Sequence, residues 1–340
     1  MNILLIANCR LGDALVMIPA LKLLRRQFPD SHITLTSETT PAGIVSAQDI
    51  LGGRGLIDEF IPMAMPDSKL ARLWARLKWL MLLRKLGPWK IGIVLMPPYP
   101  PLTMALVSRF KLYLRISGAQ RIIAPDTICH ASRLADGSLE RLPHVSDAMV
   151  GLLEPLGISS PAPGKADASL PSSSTPAPCR SLPSGHLWAI APGTNMPSKC
   201  WAHYGELLEA LQRRLGIVPV YIGGENDKPL CEELNRKVPG ICIIGRTMPE
   251  VEAIIRQCEV YLGNDTGIMH LAAALGLRCI AIFSCRDIPG IWEPYTNDKL
   301  IFRATNMNCE GCLLTICPKR HNACMEAITV SHVMDRILSE

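Results

Sequence analysis

The chain has 340 residues, 48% of them apolar, and a formal net charge of +5. That is enough apolar material for two ordinary cores, and no uncharged apolar run of about 18 residues is present to cross a membrane. Charge is uneven: residues 1–150 hold 18 Lys/Arg against 11 Asp/Glu and residues 151–340 hold 17 against 19, so the first half is the one to meet an anionic partner; with no zinc-finger spacing and no aromatic RNA-binding motif, nucleic acid is set aside as that partner.

Residues 3–7 form a continuous apolar run, the pattern of a strand buried on both faces, and are too short for a signal peptide. Residues 8–13 are a loop, 14–28 a helix bent near Pro19, and 32–36 a second strand. This βαβ unit is the mark of a parallel sheet. The stretch 69–90 carries seven Lys/Arg and no acid. Within it Leu70, Leu73, Trp74, Leu77, Leu80 and Met81 recur at helical spacing, with Arg72 and Arg76 on another face. Such a helix packs its apolar stripe on the domain with its charges in water, or touches anionic phospholipid or a phosphorylated glycolipid; the two uses are compatible. Residues 91–96 read as another strand, stopped by Pro97 and Pro98. Residues 159–185, rich in Pro, Ser and Ala, read as a linker.

A second βαβ series begins with a strand at 187–191. A polar loop, Pro192 to Lys199, leads to a helix over 201–215. A strand at 218–222 meets Gly223-Gly224-Glu225 and a helix to 237. Thr247 to Glu250 has capping-box spacing and opens a helix to 257. A strand ending at Gly263 then enters Asn264-Asp265-Thr266-Gly267, which opens a small-residue helix with His270 in its first turn, and 278–283 is a further strand. The expected organisation is a first domain over 1–158, a linker over 159–185, a second domain over 186–328 and a C-terminal helix over 329–340. Nine of the thirteen cysteines, Cys9 and Cys179 among them, are scattered singly, as small core residues are in a reducing compartment.

The polar loops all fall at carboxyl ends of strands, where doubly wound sheets bind ligands. The mouth of the helix after Asp265 has unpaired backbone N–H groups and the positive end of the helix dipole, a seat for a nucleotide diphosphate; an ordinary capped helix is the plainer use. Neither the P-loop nor the dinucleotide fingerprint is present. Asp-Thr-Gly also occurs in aspartic proteases, but those need two copies in a β-rich fold, and here it occurs once, before a helix.

Gly12-Asp13 with Pro19, Pro192-Gly193 with Lys199 and Trp201, Gly223-Gly224-Glu225, and Asp265-Thr266-Gly267 with His270 together resemble glycosyltransferase family 9, whose best-known members are lipopolysaccharide core heptosyltransferases. The resemblance runs through nearly the whole chain. It implies an α/β architecture of two Rossmann-like doubly wound domains facing a central cleft, the glycosyltransferase B fold. It also implies an inverting transfer that needs no metal, with acceptor on the first domain and ADP-sugar, heptose above all, on the second.

Carried onto these residues, Asp13 is the base that takes the acceptor proton, its alternative being a helix N-cap. A helix N-terminus lowers a carboxyl pKa and burial raises it, so the two effects oppose each other at Asp13. Gly12, Arg72 and Arg76 lie on the acceptor side. Lys199 neutralises the departing diphosphate, Thr266 and Gly267 offer backbone N–H groups, and Thr194 adds a hydroxyl. Glu225 takes the nucleotide ribose, His270 contacts phosphate or orients the loop, and Asp265 stands among the donor-binding residues, its structural alternative being to bond turn amides. The alternatives for Lys199, Glu225 and His270 are a solvated loop lysine, a helix-start charge and a satisfied helix histidine. Cys200 and Ala202 depart from the family pattern around Lys199. Cys309, Cys312, Cys317 and Cys324, with His321 nearby, offer four thiolates for structural zinc or iron, or a tight loop of reduced thiols. A lipid-linked anionic acceptor would place the enzyme on the cytoplasmic face of the inner membrane. The competing functions are a nucleotide-sugar epimerase of the same architecture and a non-catalytic nucleotide-sugar-binding module with a cysteine-metal site.

Overall fold

In a computed structural model, which describes residues 1–8, 10–38, 45–174, 181–305, 307–319 and 322–339, the chain forms two α/β units. Cys9, Cys179 and His321 lie outside the described residues, as do 175–180 of the expected linker.

The first unit takes Met1–His130 and Val145–Thr175. Its elements are β1 (Asn2–Ile6), α1 (Leu11–Val16), α2 (Ile18–Gln27), β2 (His32–Glu38), α3 (Ala47–Leu51), β3 (Glu59–Met63), α4 (Lys69–Leu86), β4 (Ile91–Val94), α5 (Met104–Ile116), β5 (Arg121–Ile123) and α6 (Val145–Gly151). The strands pair in parallel in the order β3-β2-β1-β4-β5. Ile3, Leu4 and Leu5 of the central β1 are fully buried, because helices cover both faces of the sheet. The helix expected over 14–28 is two helices divided at Met17. Pro19 sits in the first turn of α2, where its missing N–H costs no internal hydrogen bond.

The Pro- and Ser-rich segment is not free where it is described. Lys22 Nζ pairs with Asp167 at 2.7 Å, the Arg54 guanidinium donates to the Pro171 carbonyl, and Ala166 and Leu170 are buried. Residues 159–174 therefore strap the first unit instead of linking two.

Helix α4 departs from expectation more sharply. Ser68 caps it, accepting from the Ala71 N–H. Only Trp79, Leu80 and Leu83 are buried. Trp79 donates from Nε1 to Thr36 Oγ1 at 2.9 Å and lies edge-on to Tyr113. Leu70, Leu73, Trp74, Leu77 and Met81, spaced i, i+3, i+4, i+7 and i+11, face outward, with Leu70 68%, Trp74 57% and Met81 61% exposed. Arg72 and Arg76 are half-buried on the inner side, and Arg72 Nε donates to the Pro66 carbonyl at 2.6 Å. Apolar residues surround most of this helix, so periodicity cannot choose the inward face. The Trp79–Leu83 side wins because it meets Trp89, Phe110 and Leu114 of an existing cluster.

The second unit takes Ala131–His144 and Pro176–Glu340. Its elements are β6 (His186–Ala191), α7 (Tyr204–Leu215), β7 (Ile217–Gly223), α8 (Lys228–Lys237), β8 (Ile241–Ile244), α9 (Met248–Ile255), β9 (Val260–Asn264), α10 (Gly267–Ala274), β10 (Arg278–Phe283), β11 (Lys299–Arg303), α11 (Ala323–Glu326) and α12 (Val330–Leu338). The parallel order is β11-β10-β9-β6-β7-β8. Counted from β6 this is the 3-2-1-4-5-6 order of a doubly wound dinucleotide fold, with its switch point between β6 and β9. The first unit has the equivalent order over five strands, with its switch point between β1 and β4.

Two boundaries move. Residues 131–144, expected in the first domain, pack with the second: Leu142 N–H donates to the Pro289 carbonyl at 3.1 Å, Leu139 N–H to Glu310 at 3.0 Å, and Arg141 makes a two-pronged ion pair with Glu293. The C-terminal helix is no appendage either. Val333, Met334 and Ile337 of α12 join Trp201, Tyr204 and Leu208 in one core, and Trp201 Nε1 donates to the Ile328 carbonyl at 2.9 Å. Among the described residues no helix is long and apolar enough to cross a membrane.

The orientation of α4 has a direct mutational test. Leu73→Ser and Leu77→Ser should each change stability by less than about 0.5 kcal/mol, as exposed positions do. Leu83→Ala, at a fully buried position, should cost about 2–5 kcal/mol in urea unfolding.

Candidate active site

At the second unit's switch point three loops leave the carboxyl ends of β6, β9 and β10. After β6 the chain turns through a short 3-10 segment, Pro197–Lys199. After β9, Thr266 adopts extended backbone as the N-cap of α10 and Gly267 is its first helical residue. After β10 come Ser284 to Asp287. Lys199 joins the three: its Nζ lies 2.5 Å from Asp265 Oδ2 and 2.9 Å from Asp287 Oδ2. The side chains are 12%, 7% and 7% exposed. Arg286 Nη1 holds the other oxygen of Asp287 at 2.5 Å.

Burial opposes the charge on Lys199, but Asp265 and Asp287 outweigh it and hold the ammonium above its ordinary range. Burial, with repulsion from Asp287, pushes the Asp265 carboxyl up against the pull of Lys199. With Arg286 the cluster is formally neutral. An ammonium has three donors; one is hydrogen-bonded to Asp265, and Asp287 Oδ2 lies at ion-pair distance without a hydrogen bond. Asp265, for which bonding turn amides is the structural alternative, carries the lysine. Asp287 and Arg286 were not singled out in the sequence. The signal that finds them is their place just beyond the carboxyl end of β10, where this fold collects ligand-facing residues.

Asn264 fixes the frame behind this triad. Fully buried, its side-chain amide donates to the Pro192 carbonyl at 2.7 Å and accepts from the Tyr204 hydroxyl at 2.9 Å. One residue thus ties the β6 loop, α7 and the mouth of α10 together. His270 is buried on α10, edge-on to Trp292. Burial first, and the Lys199 charge second, pull its pKa to about 3, so it is a neutral imidazole that adds no positive charge. Thr194 Oγ1 accepts from the Met196 N–H at 3.2 Å and shapes the loop. Glu225 is exposed in the turn Glu225–Asp227 after β7. Its carboxylate lies over Gly245, which has φ +63; a Cβ there would collide with Glu225 Oε1.

In the first unit the chain leaves β1 at the equivalent switch point and enters α1. Arg10 occupies the N-cap position, so Asp13 is not the cap but the third helical residue, with Gly12 before it. Burial raises its carboxyl to about 6, against the opposing effects of the Arg10 charge and a hydrogen bond from the Arg10 main chain. Of the two opposing effects on this carboxyl, burial prevails.

Among the described residues no group of three or more His, Cys, Asp or Glu is placed to hold a metal ion. Cys309, Cys312 and Cys317 are half-buried, while Cys324 is buried and its sulfur accepts from the Cys285 N–H at 3.4 Å. The segment carrying these cysteines braces the lysine turn. Ser198 Oγ donates to the Leu314 carbonyl at 2.8 Å, Asn322 Nδ2 to the Pro197 carbonyl at 2.6 Å, and Arg286 Nε to the Leu314 carbonyl at 3.0 Å.

The sequence pattern of glycosyltransferase family 9 (heptosyltransferase) matches residues 128–322, which include Lys199 and both of its carboxylate partners. The chain belongs to this family. Lipopolysaccharide heptosyltransferase 3 of Escherichia coli is 24% identical over 311 residues, covering 86% of each chain. Lipooligosaccharide heptosyltransferase 2 of Campylobacter jejuni is 25% identical over 124 residues, 34% of this chain and only 38% of that one. An E. coli heptosyltransferase solved with ADP-2-deoxy-2-fluoro heptose superposes with a TM-score of 0.66 at 18% identity, covering 100% of this chain and 99% of that one. The fold is therefore that of the glycosyltransferase B enzymes, and this family 9 chain is a glycosyltransferase.

Removing the lysine should expose the strain in its cluster. Lys199→Met leaves two buried carboxylates side by side and should destabilise the second unit by about 3–5 kcal/mol. Adding Asp287→Asn to it should recover part of that loss. Urea unfolding of the two variants at pH 7.5 checks both statements.

Proposed function

We propose that this glycosyltransferase transfers heptose from ADP-heptose to a lipopolysaccharide core or related anionic glycolipid, with inversion and without a metal ion. The observation that carries the reading is the buried Lys199 ammonium, held charged by Asp265 and Asp287 beside the mouth of α10. As the bond from sugar to diphosphate breaks, negative charge grows on the leaving oxygens. The Lys199 ammonium and the backbone N–H groups at Thr266 and Gly267 stabilise it, a task given to a divalent cation in other transferases. The pair of aspartates keeps the ammonium protonated and aimed, so little reorganisation is needed as the charge appears. Arg286 balances the second carboxylate, which keeps the site from repelling the donor.

Glu225 takes the ribose hydroxyls, and Thr194 and His270 shape the diphosphate loop, His270 as a neutral hydrogen-bonding group. The bound ADP-sugar analogue of the E. coli relative supports ADP-heptose as donor. Asp13 removes the proton from the attacking acceptor hydroxyl. A carboxyl near 6 is ionised at neutral pH yet more basic than an ordinary aspartate, which suits a general base. Arg76, whose Nε is buried without a hydrogen-bond partner, and Arg72, with Gly12 near the base, serve the acceptor's phosphate and sugar groups. An acceptor anchored in lipid holds the enzyme at the cytoplasmic face of the inner membrane.

Three measurements test this. Asp13→Asn should lower kcat by roughly 10²–10⁴ while leaving ADP affinity unchanged, whereas Lys199→Ala should weaken both. Unaltered turnover in either variant overturns its role. For the wild type, kcat/KM should fall as pH drops through about 6, as Asp13 protonates; a limb near 4 would mean an unperturbed carboxyl. EDTA should leave the rate intact.

The same shift has a signature in stability. Because the folded value of Asp13, about 6, exceeds its ordinary 3.8, the folded chain holds its proton more tightly. Stability from this group therefore falls as pH rises from about 4 to 6 and stays low above that. Asp13→Asn should raise Tm at pH 7.5 and lose that advantage at pH 4. A helix-supporting role for Asp13 predicts the opposite at pH 7.5.

A further inference from the structure

We infer that the outward face of α4 is a docking surface for an anionic lipid bilayer, into which Leu70, Leu73, Trp74, Leu77 and Met81 insert. This deepens the reading above, in that a lipid-borne acceptor resides at such a surface.

The helix runs opposite to an ordinary surface helix. Its i, i+3, i+4, i+7, i+11 row is apolar and points out, while two of its arginines, Arg72 and Arg76, are drawn inward. An exposed apolar row of five large side chains is costly in water and marks a contact surface. The basic groups say which contact. Lys69, Lys78, Arg84 and Lys85 are exposed along and beside the row, and α4 holds six Lys/Arg and no acid. The neighbouring α5 adds exposed Arg109 and Arg115, with Lys111 paired to Asp126 at 3.4 Å, and leaves Leu112 and Ile116 exposed. Trp74 also lines a groove of about 580 Å³ between α4 and the edge strand β3, whose walls are Pro62, Ala64, Ala71, Ala75, Trp79 and Leu82, with Lys78 among them. The groove extends the apolar surface inward from the row.

An apolar row flanked by ammonium and guanidinium groups, with no carboxylate on the helix, is the pattern of a helix lying in the headgroup boundary. Its hydrocarbon enters the acyl region and its cations meet lipid phosphates. A basic protein partner would be repelled by the same groups, and a second copy of this chain would bring basic helix against basic helix.

The experiment is vesicle flotation of the full chain. Vesicles of equal parts phosphatidylglycerol and phosphatidylcholine should carry the wild-type protein, phosphatidylcholine alone should carry little, and salt should release it. Leu73→Glu with Leu77→Glu should weaken binding roughly tenfold or more, with an unchanged circular dichroism spectrum and unchanged transfer to an acceptor stripped of its acyl chains. Lys78→Glu with Lys85→Glu should weaken binding to the anionic vesicles alone. Equal flotation of wild type and the leucine variant overturns the inference, as does failure to float with anionic vesicles. A dimer in solution that the leucine variant dissociates also overturns it, since a second copy then covers the face. Flotation without any transfer to the soluble acceptor would instead count against the transferase reading and leave the docking face standing.

Discussion

The second unit is organised around one buried ammonium. Lys199 arrives on a short turn after β6, and its partners arrive from two other strands, Asp265 after β9 and Asp287 after β10. Charge removed from water is tolerated only when it is paired and hydrogen-bonded, so the three loops must close on one another for any of them to be stable. The constraint reaches outward. Arg286 satisfies the second oxygen of Asp287 and at the same time grips the carbonyls of Leu313 and Leu314, which in turn hold Ser198. Asn264 closes the frame from the core side, where its amide spans Pro192 and Tyr204. A cluster built this way is preorganised: the ammonium is already oriented and already charged.

The two units solve different electrostatic problems with the same topology. In each, the first strand of the series lies beside the switch point and the polar residues follow its carboxyl end. In the second unit a lysine is kept protonated by two acids. In the first, Asp13 sits in a helix start that would ordinarily acidify it, but desolvation raises it to about 6. One environment holds a cation protonated, the other raises the proton affinity of a carboxyl. The opposite demands on these charged groups are set by surroundings, not by residue type.

The cysteine-rich segment takes on a structural task in this arrangement. Its spacing suggests a ligand set, but Cys324 faces Cys285 in the core, and the main-chain carbonyls of 313–315 are what support the lysine turn. Spacing along the chain cannot reveal this, because the partner sulfur is 39 positions away. The same blindness accounts for the domain edges. Residues 131–144 and 159–174 are short on regular pattern, and what decides their allegiance is long-range pairing: Arg141 with Glu293 in one case, Lys22 with Asp167 in the other.

The central strands of both sheets and the helices after most of them were legible from the amino acids alone, because continuous apolar runs, small-residue helix mouths and capping boxes are local chemistry; β3, β5, β8, β11 and helix α5, shorter or less patterned, were not. So were Asp13, Lys199 and Asp265 as residues of interest, through their place after strands and their likeness to a known family. The tertiary structure alone decided which groups touch. Asp287 became a partner of Lys199 only when β10 lay beside β9, the proton affinity of Asp13 followed from how deeply its carboxyl is buried, and the outward face of α4 was chosen by the cluster around Trp89 and Phe110. In each case the deciding energy comes from contacts and desolvation between distant residues, and those quantities do not exist until the chain has folded.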